Sequence, residues 1–426
     1  MGLLNRVGAG RRRGVAGVIV IAAVVTAGFL LWRGGSIADL PPSQGPSTAK
    51  TVIPTVLASR VTDVASVAEA ADSSPTAPGG VLTIPGAGRR NIPLPAGAGV
   101  DTHRLVADDG WIVMGLTFAG DPLREPLYAA NLDTGAVRKI ADSAPLDFTV
   151  AGSRAAWAEW TCESSWPSPM PTEQAHPQPQ VRCSGWRVVL ADLATGESRV
   201  VVQGTNPDVV DDAVSQGTPV AVVPAVALAQ DTLAYTTGDL ALGIQLNLLT
   251  LSSGASRALP LEAPVGSMRW AGDDLALIVD SDLHAAGTSP AGYAYPYYLD
   301  SELELLPGGA TTVRRIASGA YWLAADADRV AWAAGGANIW TAAAPGWRPV
   351  RDGYDAISGP YLSDGWLGWG GTWRETPFLI FGPGDTSPRA VPDGLGLTGG
   401  WLVLGSEPDE QALPTRLDVV SLSDLK

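Results

Sequence analysis

The sequence predicts an all-β chain built as a β-propeller, with seven blades, or six or eight as alternatives, behind one N-terminal membrane helix and a tether. Three observations predict it. A five-residue phrase recurs along the chain, a strand–turn–strand phrase follows most of its copies, and residues 15–32 form an uncharged apolar run.

The first phrase is a turn residue, a variable residue, an apolar residue, usually a small residue, then a large one. Its copies are Gly110–Met114, Ser153–Trp157, Asp231–Tyr235, Asp273–Leu277, Asp328–Trp332, Gly365–Trp369 and Gly400–Leu404. A repeat at this spacing means one structural unit used many times. The second phrase is clearest at Leu127–Ile140 and Val188–Val200, with a third copy at Leu246–Arg257 and looser ones ending at Arg315, Arg348 and Arg389. Gly near each reversal supplies the positive φ of a tight hairpin, and the Asp or Thr before it bonds the local backbone. Four short strands per repeat is the size of a propeller blade, about 40–45 residues. The longest interval, Arg154 to Thr232, is read as two insertions, the Pro-rich Trp166–Gln180 and the stretch Gly204–Gly217 with Asp208, Asp211 and Asp212.

The unit Asp-Leu-x-Thr-Gly-x-x-Arg resembles the repeats of TolB-like and WD40-like β-propellers of bacterial envelopes, over about residues 80–426. That resemblance implies a fold and little about function. A ring must pair its last blade with its first or leave an open edge. Val81–Leu94 reads as the second half of a repeat with no first half before it, and the chain stops after Leu417–Leu422 without a full fourth strand. The expectation is that Arg90–Leu94 supplies the missing outer strand.

Residues 1–13 read as a short cytoplasmic tail, 14–33 as a transmembrane signal-anchor, 34–79 as a Pro/Ser/Ala-rich tether and 80–426 as the propeller. As a helix the apolar run spans about 27 Å, close to the hydrocarbon thickness. Arg6, Arg11, Arg12 and Arg13 precede it, so the positive-inside bias puts the N-terminus in the cytoplasm and the propeller outside. A cleaved signal peptide is the competing reading, with Ser36-Ile37-Ala38 as its site. The two cysteines, Cys162 and Cys183, flank the Pro-rich insertion and are expected to form a disulfide. Closing that loop is worth about 3 kcal/mol in the chain-entropy model.

The net charge of −15 argues against nucleic acid as a partner. No metal-ligand spacing, phosphate loop, dinucleotide fingerprint or Gly-x-Ser-x-Gly elbow is present, so no catalytic, metal or cofactor residue is assigned and no cofactor is expected. His103, His176 and His284 fall in three different repeats. Glu159, Asp280, Asp282 and Glu375 lie near the ends of second strands, yet no pair stands out for glycoside cleavage. Fifteen Trp against nine Tyr and five Phe is unusual. Most of them suit the gap between blades, where facing sheets lie about 10 Å apart. Trp366, Trp369, Trp373 and Arg374 are the candidate binding face, because Trp373 sits in the polar turn Gly370–Glu375. The expected role is a non-catalytic binding or scaffold module for an envelope protein or glycan, held to the lipid bilayer through residues 14–33. The alternative is a glycan-active enzyme or lectin that uses the Trp and acidic residues.

Overall fold

The repeated phrases become strands because each alternates apolar and polar residues between turn residues. A computed structural model of the chain describes residues 80–425, apart from 87, 119–125, 143–146, 166–179, 206–223, 240–242, 281–300, 327–328, 335–337, 344–345, 352–356, 372–377, 384, 386 and 407–413. The described strands form seven four-stranded antiparallel sheets. The first holds β2 (Ala98–Asp108), β3 (Trp111–Phe118), β4 (Leu127–Asn131) and β5 (Val137–Ala141), and the second β6 (Asp147–Ala151), β7 (Arg154–Ser165), β8 (Gln180–Asp192) and β9 (Ser198–Thr205). The third holds β10 (Val226–Leu228), β11 (Thr232–Asp239), β12 (Gly243–Thr250) and β13 (Ser256–Leu261). The fourth holds β14 (Val265–Ala271), β15 (Asp274–Asp280), β16 (Ser301–Leu306) and β17 (Arg314–Ser318). The fifth holds β18 (Ala320–Asp326), β19 (Arg329–Ala334), β20 (Asn338–Ala343) and β21 (Gly346–Arg351). The sixth holds β22 (Ile357–Ser363), β23 (Trp366–Gly371), β24 (Phe378–Phe381) and β25 (Arg389–Val391). The last is built from β26 (Gly394–Thr398), β27 (Trp401–Ser406), β28 (Arg416–Ser421) and, as its outer strand, β1 (Arg90–Ile92).

The first strand of each sheet touches the first strand of the next, and β26 touches β2, so these strands form an inner ring. The architecture is an all-β propeller. Its core lies between the sheets. One apolar cluster joins Phe148, Val150 and Trp157 of the second sheet to Val113 and Leu127 of the first. Another joins Ile92, Val403 and Leu417 of the last sheet to Val100, Ile112 and Met114 of the first. The large residue that ends the first phrase fills these gaps; Trp157, Trp332 and Trp369 are among the largest fully buried side chains. The small residue before it makes room. A Cβ on Gly368 would lie 2.9 Å from Leu397 Cδ1 of the next sheet.

The rest of the repeat is explained by hydrogen bonds. The carbonyl that opens the first phrase accepts from the Leu of the second: Leu132 N to Gly110 O at 2.7 Å, Leu193 N to Ser153 O at 2.7 Å, Leu251 N to Asp231 O and Leu422 N to Gly400 O at 2.8 Å. Asp192 Oδ1 accepts from the Ala194 and Thr195 amides, and Asn131 Oδ1 does the same for Asp133 and Thr134. Those amides, the Thr195 N–H first, hold the Asp192 carboxyl below its ordinary range. The terminal Arg of the phrase ties sheet to sheet. Arg90 donates to Leu132 O at 2.7 Å, Arg138 to Asp192 O at 3.4 Å and Arg257 to Gly309 O at 3.4 Å, each reaching the hairpin turn of the following sheet. On the way Arg90 lies over the Trp401 ring and Arg138 over Trp111.

The expected closing strand is present, at Arg90–Ile92, antiparallel to β28 with Arg90 opposite Val419 and Ile92 opposite Leu417. One contact was not foreseen. Val81 makes a parallel bridge with Ala390 of β25, so the same segment also edges the sixth sheet.

Candidate functional site

Strand direction sorts the connections onto two faces. First-to-second-strand and third-to-fourth-strand connections lie on one face and are two to seven residues long. They use positive-φ residues such as Asp109, Gly110, Gly152, Gly272, Gly365 and Gly400. The strands flanking 166–179, 206–223, 281–300 and 372–377 end on the opposite face. On that face the second sheet extends. β7 and β8 stay paired as far as Ser165 and Gln180, whereas β6 stops at Asp147 opposite Ala158 and β9 stops at Thr205 opposite Gly185. The excess is a two-stranded arm, and within it Cys162 is the register partner of Cys183.

At the base of the arm sits Glu159, 3% exposed. It accepts from Trp157 Nε1 at 2.8 Å and from Arg187 Nε. These bonds make Glu159 a structural anchor. Asp280 is the last residue of β15, and Asp282 and Glu375 lie outside the described residues. His176 and His284 lie outside them too, while His103 belongs to β2.

The proposed aromatic platform needs correcting in part. Trp366 is 2% exposed, packed with Phe378, Leu397 and Leu402 and overlaid by Arg389. Trp369 is 1% exposed and packs with Ala331, Leu362 and Leu379 between the fifth and sixth sheets. Both hold repeat positions that the fold buries, so neither offers a face to a sugar. Trp373 and Arg374 lie outside the described residues, as does the apolar run at 14–33. Among the described residues no helix is long and apolar enough to cross a membrane, and no cluster of His, Cys, Asp and Glu fits a metal ion.

The inner strands bring together a charge cluster that sequence reading missed. Asp147 opens β6, and its Oδ2 accepts from the Val226 amide at 3.2 Å. Arg269 of β14 reaches over β10 to bring Nη1 within 3.7 Å of Asp147 Oδ1, and donates to Met268 O at 2.7 Å. Arg104 of β2 adds a second positive charge within range of Asp147. Burial raises the Asp147 carboxyl above its ordinary value, and the pull of Arg269, the amides and Arg104 does not reverse it. No local pattern signals this set, since its members come from three sheets.

No family model matches the chain, and no curated protein matches it. Solved structures do. The β-propeller domain of the Trilobed protease from Pyrococcus furiosus, reported with an open velcro topology, is 13% identical with a TM-score of 0.50, over 76% of this chain and 94% of that one. Pyrococcus horikoshii acylaminoacyl peptidase, in its uncomplexed form, is 13% identical with a TM-score of 0.47, over 76% of this chain and 52% of that one, so this chain spans about half of it. TolB from Acinetobacter baumannii is 11% identical with a TM-score of 0.38, over 70% of this chain and 67% of that one. The likeness is one of fold. In contrast to an open velcro, the last sheet here takes its outer strand from the N-terminal side.

Proposed function

We propose that this chain is a seven-bladed, membrane-tethered propeller outside the cytoplasm, acting as a non-catalytic binding or scaffold module for an envelope protein or glycan. Each four-stranded sheet counts as one blade. The observation that carries the reading is the inequality of the two faces: short connections on one, and on the other the strand ends that flank 166–179, 206–223 and 281–300. Loops on a rigid scaffold are where binding residues concentrate. The face with the arm is therefore the binding face. A disulfide between Cys162 and Cys183 suits both the location and the register, because a two-stranded ribbon alone is marginal in water. The bilayer contact is residues 14–33, uncharged from 15 to 32.

The test is co-purification from native membranes. A chain with 166–179 replaced by a short Gly-Ser turn is expected to keep its melting temperature and lose its partner. Retention of every partner removes the arm from the binding face. Release from membranes is expected on deleting 14–33, and retention argues against the anchor. A glycan ligand is the second reading, favoured because Trp373 belongs to the connection between β23 and β24, whose flanking strand ends lie on the same face. Glycan-array binding lost on Trp373→Ala supports it; no binding by the intact chain counts against it.

A further inference from the structure

The pairings carry one rung of each sheet from the large residue that ends the first phrase out to the rim. In the first sheet the rung runs Met114, Tyr128, Lys139, and in the second Trp157, Val189, Val200. In the third it runs Tyr235, Asn247, Ala258, and in the fourth Leu277, Glu304, Arg315. The fifth has Trp332, Trp340, Pro349, the sixth Trp369, Leu379, Ala390, and the last Leu404, Asp418, Asn91. The outer members of this rung are equivalent edge positions.

Ala390 shows what such a position can do. Its N–H donates to Gly80 O at 2.9 Å, and its carbonyl accepts from Leu82 N at 2.8 Å. Both backbone groups point away from the sheet, and a distant segment, Gly80–Leu82, lies on them as a strap parallel to β25. Bonded and non-bonded pairs alternate along an antiparallel ladder. The same rung therefore turns the same groups outward in the other sheets.

Open edges invite pairing unless charge, proline, shortness or a cover blunts them. Lys139 and Arg315 put a cation on the rung in β5 and β17. Pro349 removes the N–H in β21, and Pro260 removes the next outward one in β13. β1 is three residues long, and the strap covers β25. β9 lacks all of these protections. It is eight residues long, holds no proline, and places Val200 on the rung with 43% exposure. Ser198 and Arg199 before it are exposed as well. Val201 is the extra residue of a bulge, but Ile140 and Ile316 are the extra residues of the same offset in the two cation-bearing edges. The bulge thus belongs to the repeat, and the exposed valine belongs to β9.

We propose that β9 is a docking edge that takes an extended segment of a partner protein as a fifth strand, parallel to β9, as Gly80–Leu82 sits on β25. Backbone pairing supplies the affinity of such a segment, and its side chains supply the specificity. The segment carries an apolar residue beside Val200 and a carboxylate beside Arg199, the one charged side chain of β9. A second copy of the chain does not suit the edge. Eight residues a side fall well short of the about 20–30 that a stable interface uses. The rim is separate from the loop face that bears the arm, so replacing the arm leaves this binding unchanged.

The probe is the fluorescent peptide Gly-Glu-Val-Leu-Thr-Ile, the strap order with Glu in the place of Gly80, titrated into the full chain by anisotropy. It is expected to bind one site per chain with a dissociation constant below about 1 mM. Val200→Lys should weaken it by about tenfold or more and leave the melting temperature unchanged, because β5 already carries Lys139 on that rung. Val200→Thr should retain the peptide, and so should Ala258→Lys on the edge of the third sheet. A peptide methylated on the leucine nitrogen, which cannot make the bond that Leu82 N makes in the strap, should bind about tenfold more weakly. No saturable binding below about 1 mM, or equal binding by wild type and Val200→Lys, overturns the proposal. A dimer in sedimentation that Val200→Lys abolishes would assign the edge to a second copy and overturn the partner strand.

Discussion

Asp418 and Asp147 are two aspartates with the same company and opposite behaviour. Each is faced by two arginines, Asp418 by Arg89 and Arg416 and Asp147 by Arg269 and Arg104. Asp418 lies in β28 where the ring closes and is 2% exposed. Arg89 Nη2 lies 2.6 Å and its Nε 2.8 Å from Asp418 Oδ2, and Asn91 Nδ2 donates to Oδ1 at 3.0 Å. Burial raises the Asp418 carboxyl, but the Asn91 and Arg89 hydrogen bonds and the two positive charges outweigh it, so it ends below its ordinary value. Asp147 has the Val226 and Phe148 amides, Arg269 at 3.7 Å and the charge of Arg104, and burial outweighs them. The difference is geometry. A clasp that closes a ring is made of short, directed bonds. At Asp147 the nearest guanidinium lies at 3.7 Å, beyond a direct hydrogen bond.

The strongest way to break the comparison is to remove the clasp with its strand. A chain lacking residues 80–94 loses the burial of Leu82 and Ile92, about 1.5–3 kcal/mol each, and leaves β28 as an open edge. The expected loss is about 5 kcal/mol in all, with aggregation on unfolding, read by denaturant titration and light scattering. Unchanged stability contradicts the closing role of β1. Asp418→Ala is a smaller change. Arg89 and Arg416 are 42% and 60% exposed, so solvent screens the pairs, and the expected loss is about 1–2 kcal/mol. Asp147→Asn should change stability by less than about 1 kcal/mol at pH 7.

The pH dependence sharpens the contrast, because the two signs differ. Asp418 has a lowered folded value, so its contribution is present above 3.8 and is lost as pH falls through the folded value. Asp147 has a raised folded value, so its contribution is present below 3.8 and is lost as pH rises through the folded value. The advantage of the wild type over Asp418→Asn should therefore shrink in acid. The balance between the wild type and Asp147→Asn should shift toward the variant as the pH climbs above 3.8. Melting curves across acid pH read both, and parallel shifts in the two variants contradict the account.

Much of the ring was legible in the sequence because it is made of local, repeated choices. The phrase at Gly110–Met114 encodes a turn, a buried strand and a residue for the inter-sheet gap, and the closing strand showed as half a repeat at Arg90. The Arg of the second phrase was visible, but its role was not, since Leu132 O and Asp192 O belong to the next sheet. The single bridge at Val81 leaves no periodic signal. The Asp147 cluster was illegible for the same reason at longer range: Arg104, Asp147 and Arg269 come from three different sheets. Trp366 and Trp369 were misjudged because richness in Trp suggests a platform, while their repeat positions dictate burial.

The most direct test is a pair of double-mutant cycles, Arg89→Ala with Asp418→Ala and Arg269→Ala with Asp147→Ala, measured by denaturant unfolding at pH 7. The clasp pair should couple by about 1 kcal/mol or more, and the Arg269–Asp147 pair by less than about 0.5 kcal/mol. A coupling of Arg269 with Asp147 equal to or larger than that of the clasp would contradict the claim that geometry sets the two aspartates apart.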